Sequence, residues 1–389
     1  MKIKSIVKTC CLCLLLCLSI SYQLKAQQTF NISGEVRDEV NGYVPGATVF
    51  IINTTIATAT DVNGIFHLKN IKPGNYEVMV KLIGYEPFLG KITIADQNIS
   101  LQVQLVLNPR HLKQVVIRPN EEWFNNLAMF KRHFLGETEN AANCTIANPD
   151  VLFFDLDKKS NILRASAGDF LTIKNNSLGY TLKYLLTGFE YNVSTNSVNY
   201  QGYPYFEEMK GTPQDSVKWE KNREIAYQGS IRHFMHCLYN KTAIAEGFII
   251  YKIKNRRPLG ERIDKKKSFK LIFHQVDVDT LLTAKDTHFK TLNYKDALFV
   301  IFTKEREPDR YRDRNYSMGT MFHSLPYGQI SIVNLKPPVI IDDQGHFEPT
   351  QGLFFEGYMA WENIAELVPF NYIHDAKDVK SYDVPSPNR

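Results

Sequence analysis

The chain predicts a mainly β protein (α+β overall): an N-terminal seven-stranded β-sandwich, then a helix, then a larger β-rich region with a few helices. Three observations lead there. Between Phe30 and Leu107, short alternating runs are broken by turn residues every 8 to 12 positions, which is sandwich or barrel spacing. One apolar stripe of helical period follows at Trp123, Leu127, Phe130 and Phe134. Beyond Glu137 the chain is rich in β-branched and aromatic residues. The 389 residues are 44% hydrophobic and 22% charged, an ordinary globular balance that excludes collagenous, wholly disordered and disulfide-scaffold classes.

Residues Met1 to Ala26 have the layout of a secretory leader. Lys2, Lys4 and Lys8 precede an apolar run from Cys10 to Ile20, and Leu24-Lys25-Ala26 ends on a small residue suited to cleavage. Eleven apolar residues are too few for a membrane helix, which needs about 20. Leu16 before Cys17 is not the small residue that acylation would require. Cleavage removes four of the 46 basic residues and leaves 42 against 41 acidic ones, so no electrostatic footprint for nucleic acid remains. Only Cys144 and Cys237 then persist, as one disulfide or as two buried thiols. The expected location is the periplasm, the outer membrane or the cell surface.

Candidate strands in residues 27–108 are Phe30–Val36, Ala47–Ile52, Ala57–Thr60, Gly64–Leu68, Tyr76–Leu82, Leu89–Ile94 and Leu101–Val106. Asp61-Val62-Asn63-Gly64 and Lys72-Pro73-Gly74-Asn75 supply the turns, because Gly and Asn tolerate positive φ. The first of these mimics the start of a calcium loop but lacks the glutamate expected at its twelfth position, so it reads as a hairpin turn.

Gly34-Glu35-Val36, Pro45-Gly46-Ala47, Thr60-Asp61-Val62-Asn63-Gly64-Ile65-Phe66, Pro73-Gly74-Asn75-Tyr76 and Ile83-Gly84-Tyr85 occur in order. Together they resemble the carboxypeptidase-regulatory-like domain, a transthyretin-like β-sandwich common in envelope proteins of the Bacteroidetes. His111 to Ile117 resembles the strand that follows this domain in TonB-dependent receptors. The resemblance does not extend to the enzyme in the family's name. No histidine is followed by Glu at the third position, and His-Glu-x-x-His is absent.

Residues 109–136 form the connector. Asn120 can cap a helix whose first turn carries Glu121 and Glu122, and Gly136 stops it. Strands are expected in residues 137–375 at Val151–Asp157, Leu163–Ala167, Leu171–Lys174, Gly179–Phe189, Ser197–Gln201, Phe248–Ile253, Phe269–Phe273 and Ala297–Phe302. Helices are expected from Ser230 to Asn240 and from Tyr358 to Val368. Fragments such as Leu178-Gly179-Tyr180 and Trp219-Glu220-Lys221-Asn222-Arg223 resemble a partner region often found after the regulatory-like domain. That family implies an architecture and no reaction. Residues 376–389 are polar and proline-containing, a tail expected to fray.

The chain has no phosphate-binding glycine loop and no nucleophile elbow, and neither a cofactor nor a catalytic set is expected. His233 and Cys237 stand four apart on one helix and could touch a soft metal, but His236 points elsewhere and no other ligands cluster, so no metal is expected. Asp277 and Asp279 would share one face of a strand. Lys304 to Arg314 mixes both signs and reads as a solvated loop. Tyr203 and Tyr205, in the aromatic stretch Tyr200 to Phe206, and Trp219 are the candidate binding residues. Their rings combine flat apolar faces with polar tips, suited to sugar or protein contact when exposed and to the core when not.

The expected function is a non-enzymatic envelope protein that binds or positions a partner, a protein or a glycan, through its sandwich domain. A carbohydrate-binding accessory is the second possibility. A hydrolase using scattered acids and His233 in the larger region is the third.

Overall fold

The computed structural model describes residues 28–108, 120–254, 270–313 and 327–374. The expected leader, the stretch His111 to Ile117 and the tail 376–389 lie outside the described residues.

All seven expected N-terminal strands form: β1 (Phe30–Asp38), β2 (Thr48–Ile51), β3 (Ala57–Ala59), β4 (Ile65–Ile71), β5 (Gly74–Lys81), β6 (Phe88–Ile94) and β7 (Ile99–Leu105). They make two sheets, in the orders β4-β1-β7 and β3-β2-β5-β6, with β1 and β7 parallel. Ile32, Val36, Val49, Ile51, Val78 and Val80 close the core between them. The turn before β4 is a hairpin turn, because Asp61 Oδ1 accepts from the Asn63 and Ile65 amides at 2.8 and 2.9 Å. Gly64 completes it at φ 71.

Helix α1 (Glu121–Leu135) starts where Asn120 accepts from the Trp123 amide at 2.8 Å and ends at Gly136, φ 101. Its apolar stripe lies on the larger region, with the Phe130 ring 4.8 Å from that of Phe189. A short helix, α2 (Glu139–Ala142), leads into a six-stranded sheet. This sheet contains β8 (Cys144–Ile146), β9 (Leu152–Asp157), β10 (Ile162–Ala167), β11 (Leu171–Asn175), β12 (Tyr180–Asn192) and β13 (Ser197–Glu208). β13 occupies one edge of β12, while β11 and β10 share the other. The expected strand Ser197–Gln201 continues through Pro204, which an edge strand tolerates because no ladder amide is lost.

Helix α3 (Pro213–Tyr227) was not expected, because it carries no apolar stripe. Its signal is the capping box at Thr212 and Asp215 with Pro213 at the first turn. Helix α4 (Ile231–Asn240) matches the expected interval and buries Phe234, Met235 and Leu238. It packs between two further sheets. One holds β14 (Phe248–Lys254), β15 (Lys270–Gln275), β18 (Ala297–Phe302), β19 (Gln329–Leu335) and β22 (Leu353–Gly357); the other holds β16 (Leu282–Ala284), β17 (Phe289–Leu292), β20 (Val339–Asp342) and β21 (Phe347–Glu348).

Two expectations are corrected. Asp277 and Asp279 do not share a strand face: Asp277 caps a 3-10 turn over Val278–Leu281, and Asp279 pairs with Lys241 across it. The expected helix Tyr358 to Val368 breaks into a short α5 (Tyr358–Trp361) and a 3-10 turn at Ile364–Glu366, because Asn363 between them is extended. The break lets the chain return to the six-stranded sheet, where Asn175 Nδ2 donates to Ala365 O at 2.9 Å.

Candidate functional site

β2 and β5 bury both of their faces. Val49, Ile51, Val78 and Val80 face the sandwich core, while Phe50, Ile52 and Met79 face the larger region and meet Leu185, Tyr205, Phe170 and Tyr203. The Phe50 ring lies 4.6 Å from Tyr205 and 5.7 Å from Phe170. The β2–β3 turn then caps the open edge of β13: Asn53 N donates to Pro204 O at 2.7 Å and Phe206 N donates to Thr54 O at 2.9 Å. An unpaired edge would otherwise invite foreign strands. Phe370 N donates to Asn53 O at 2.7 Å, and Asn371 bonds Thr55 twice, at 3.0 and 2.6 Å. Gln344 Nε2 donates to the Tyr76 hydroxyl at 2.6 Å, and Lys91 pairs with Glu348. Apolar packing and directed bonds therefore join the sandwich to the larger region along a continuous seam.

This seam accounts for two of the three candidate aromatic residues. Tyr205 is buried in it, and that burial raises its hydroxyl pKa. Tyr203 is half-buried beside it. Trp219 stands elsewhere, on α3. Its indole lies over Gly179, where an added Cβ would sit 2.2 Å from the ring, and its Nε1 donates to Asn176 O at 3.0 Å. Gly179 has φ 68, so both its conformation and its bare face are needed there. Arg223, one turn on, stacks on Tyr180 at 3.8 Å and donates to Leu178 O. Trp219 thus clips α3 to the β11–β12 turn, and the three rings form no common platform.

The His and Cys residues of α4 are also occupied. His233 Nδ1 accepts from the Gly229 amide at 3.1 Å, and burial pulls the imidazole pKa down to about 2. His236 Nδ1 contacts Asp343 O. Cys144 and Cys237 are free thiols in separate cores, each pushed up to about 12 by burial. Among the described residues, no three His, Cys, Asp or Glu side chains converge to hold a metal, and no helix is long and apolar enough to cross a membrane.

The end of the sandwich away from the β2–β3 turn has a different character. β1 and β7 finish there and β4 begins there, as the registers of the first sheet require. Four connections expose apolar side chains at that end: Val40 (85% exposed) and Tyr43 after β1, Val62 (82%) before β4, Ile83 (75%) after β5, and Val106 with Leu107 after β7. Leu107 N donates to Glu39 Oε2 at 3.2 Å and Asn108 N to Gly84 O at 2.8 Å, which draws three of these loops together. Asp38, Glu39, Asp61 and Glu86 lie among them. Sequence reasoning missed this patch, although aliphatic residues at turn tips were its visible signal.

Known proteins add one firm point. Residues 32–117 match the CarboxypepD_reg-like domain. The seven-stranded sandwich is the structural body of that match. No curated protein is similar enough to this chain to count as a relative. Among solved structures, the group B streptococcus pilus 2b backbone protein is similar at 15% identity and a TM-score of 0.19, over 21% of this chain and 43% of its own. The major pilin subunit BcpA of Bacillus cereus is similar at 18% identity and 0.18, over 21% and 31%. Catechol 1,2-dioxygenase from Acinetobacter sp. ADP1 is similar at 13% identity and 0.20, over 25% and 59%. The chain spans less than two thirds of each of these proteins, and likenesses of this size say nothing about its role.

Proposed function

We propose that this chain is an exported, non-enzymatic envelope protein whose sandwich is held by the seam and offers its free loop end to a protein partner. The observation that carries this reading is the group of exposed aliphatic side chains on four connections at one end. Isolated exposed apolar residues are ordinary, but a contiguous group rimmed by polar ones marks an interaction surface. Asp38, Glu39, Asp61 and Glu86 outnumber the one guanidinium that the described residues place there, Arg37, which lies over Tyr43 and pairs with Glu35, so the partner's surface is apolar with Lys or Arg around it. The seam keeps the patch at a set distance from the larger region, which is what positioning a partner requires.

A photo-crosslinking residue placed at Val40 or Ile83 in the producing cell tests the proposal. The expected result is one discrete adduct in the envelope fraction from both sites, lost in a Val62→Asp/Leu107→Asp background. The reading fails if neither site gives an adduct, or if the exposed Lys159 on the larger region gives the same one.

A further inference from the structure

A second surface lies beside the seam, on the same face of the six-stranded sheet. The outward residues of β12 and β13 change character at a bulge between Leu186 and Gly188. On one side Leu185, Tyr203 and Tyr205 meet the sandwich. On the other the face opens into a groove of about 460 Å³ across β9, β10, β12 and β13. Four adjacent strands make such a groove about 14 Å wide.

The groove is built from two rows. Asp155 stands opposite Arg164, Arg164 opposite Glu190 and Glu190 opposite Asn199. In the next row Phe153 stands opposite Ser166, and Gly188 opposite Gln201. Gly188 is the floor: a Cβ there would meet no atom within 4 Å, and its φ is not positive. The inward residues of the same strands, including Leu163, Phe189 and Tyr191, are fixed in the core beneath.

We propose that this groove binds neutral pyranose rings of a glycan chain. Its charge excludes the usual anions. Arg164 Nε donates to Glu190 Oε2 at 3.2 Å, and Asp155 sits on its other side, so the one cation is already matched and the row is net negative. Its surface also excludes lipid, because among the outward residues that line the groove Phe153 is the lone large apolar side chain. What remains suits a polyhydroxylated ring. Carboxylates and amide oxygens accept hydroxyl protons, the amides and Ser166 can donate or accept, and the Phe153 ring offers a flat face for ring C–H groups. Each group is mounted on a strand rather than a loop, so little ordering is needed on binding. The volume falls in the ordinary range for ligand sites. This site is separate from the loop end of the sandwich and stands or falls without it.

The test is titration calorimetry of the purified protein with tetra- to hexasaccharides from cellulose, xylan, mannan and starch, and with polygalacturonate as the anionic probe. At least one neutral series is expected to bind and polygalacturonate to bind none. Gly188→Gln projects into the groove from a Cβ position that no protein atom approaches within 4 Å, and Phe153→Ala removes the flat face. Each should weaken binding at least tenfold while leaving the thermal midpoint within a degree or two of wild type. The proposal is overturned if no neutral series binds, if binding survives unchanged in both variants, or if polygalacturonate binds more tightly than every neutral series. A Gly188→Ala variant separates groove filling from backbone effects: it should retain binding, and its loss of binding would also count against the proposal.

Discussion

Replacing Phe50 by alanine should destabilise the protein by about 3–5 kcal/mol and divide one unfolding transition into two. Phe50 is fully buried and sends its ring out of the sandwich into Phe170 and Tyr205. Its loss leaves a cavity at the joint, whereas the core on the other face of β2 keeps Val49 and Ile51. The surrounding hydrogen bonds, donated by the Asn53 and Thr55 amides and accepted by the Thr54 carbonyl, then lose their apolar shelter and compete with water. Calorimetry should show a single cooperative peak for the wild type and a separate sandwich transition for Phe50→Ala. A Val49→Ala variant is the control, since it damages the sandwich core and leaves the seam intact. If Phe50→Ala lowers one undivided transition by the same amount as Val49→Ala, the coupling of the two parts does not run through Phe50.

The sandwich was legible because its information is local. Each strand alternates and each turn carries its own Gly, Asn or Asp, so all seven strands follow from short windows. The seam was partly written as well. Val49-Phe50-Ile51-Ile52 is an unbroken apolar run, and such runs belong to strands covered on both faces. The candidate rings Tyr203 and Tyr205 were found as a feature, but alternation cannot say whether an outward face meets water or another part of the chain. The groove was out of reach for a different reason. Phe153, Arg164, Gly188 and Gln201 come from four neighbouring strands, and β11, which lies between β10 and β12 in the chain, is not one of them. Separately, each is an ordinary outward residue of a half-buried strand. Helix α3 failed the periodicity test because it is held by Trp219 and Arg223 to a turn rather than by an apolar stripe.

His233 should make stability fall in acid, and the effect can be isolated by difference. The imidazole is 1% exposed, and burial, reinforced by His374, His236, Lys304 and Arg232, lowers its pKa from 6.5 to about 2. Its native form is neutral, with Nδ1 accepting from Gly229 N and the ring set among Tyr227, Phe248 and Phe302. Below pH 6.5 the unfolded chain takes up a proton at this residue and the folded one does not. The stability it contributes is therefore complete above pH 6.5 and is lost as the pH falls towards 2. By pH 4.5 the loss is on the order of 2–3 kcal/mol. Glu305 and Asp342 work in the opposite direction, since burial raises both to about 7 and their contribution is lost as pH rises through that value. The wild-type curve alone mixes these signs. His233→Phe keeps an aromatic ring in the site and removes the titration, at the cost of leaving the Gly229 amide without its acceptor, about 1–3 kcal/mol at every pH. Urea unfolding from pH 7.5 to 4.5 should show the variant less stable at the upper end and equal to or more stable than the wild type at the lower end. A gap that stays constant across this range means that His233 is protonated in the folded protein, or that acid opens the site before the chain unfolds.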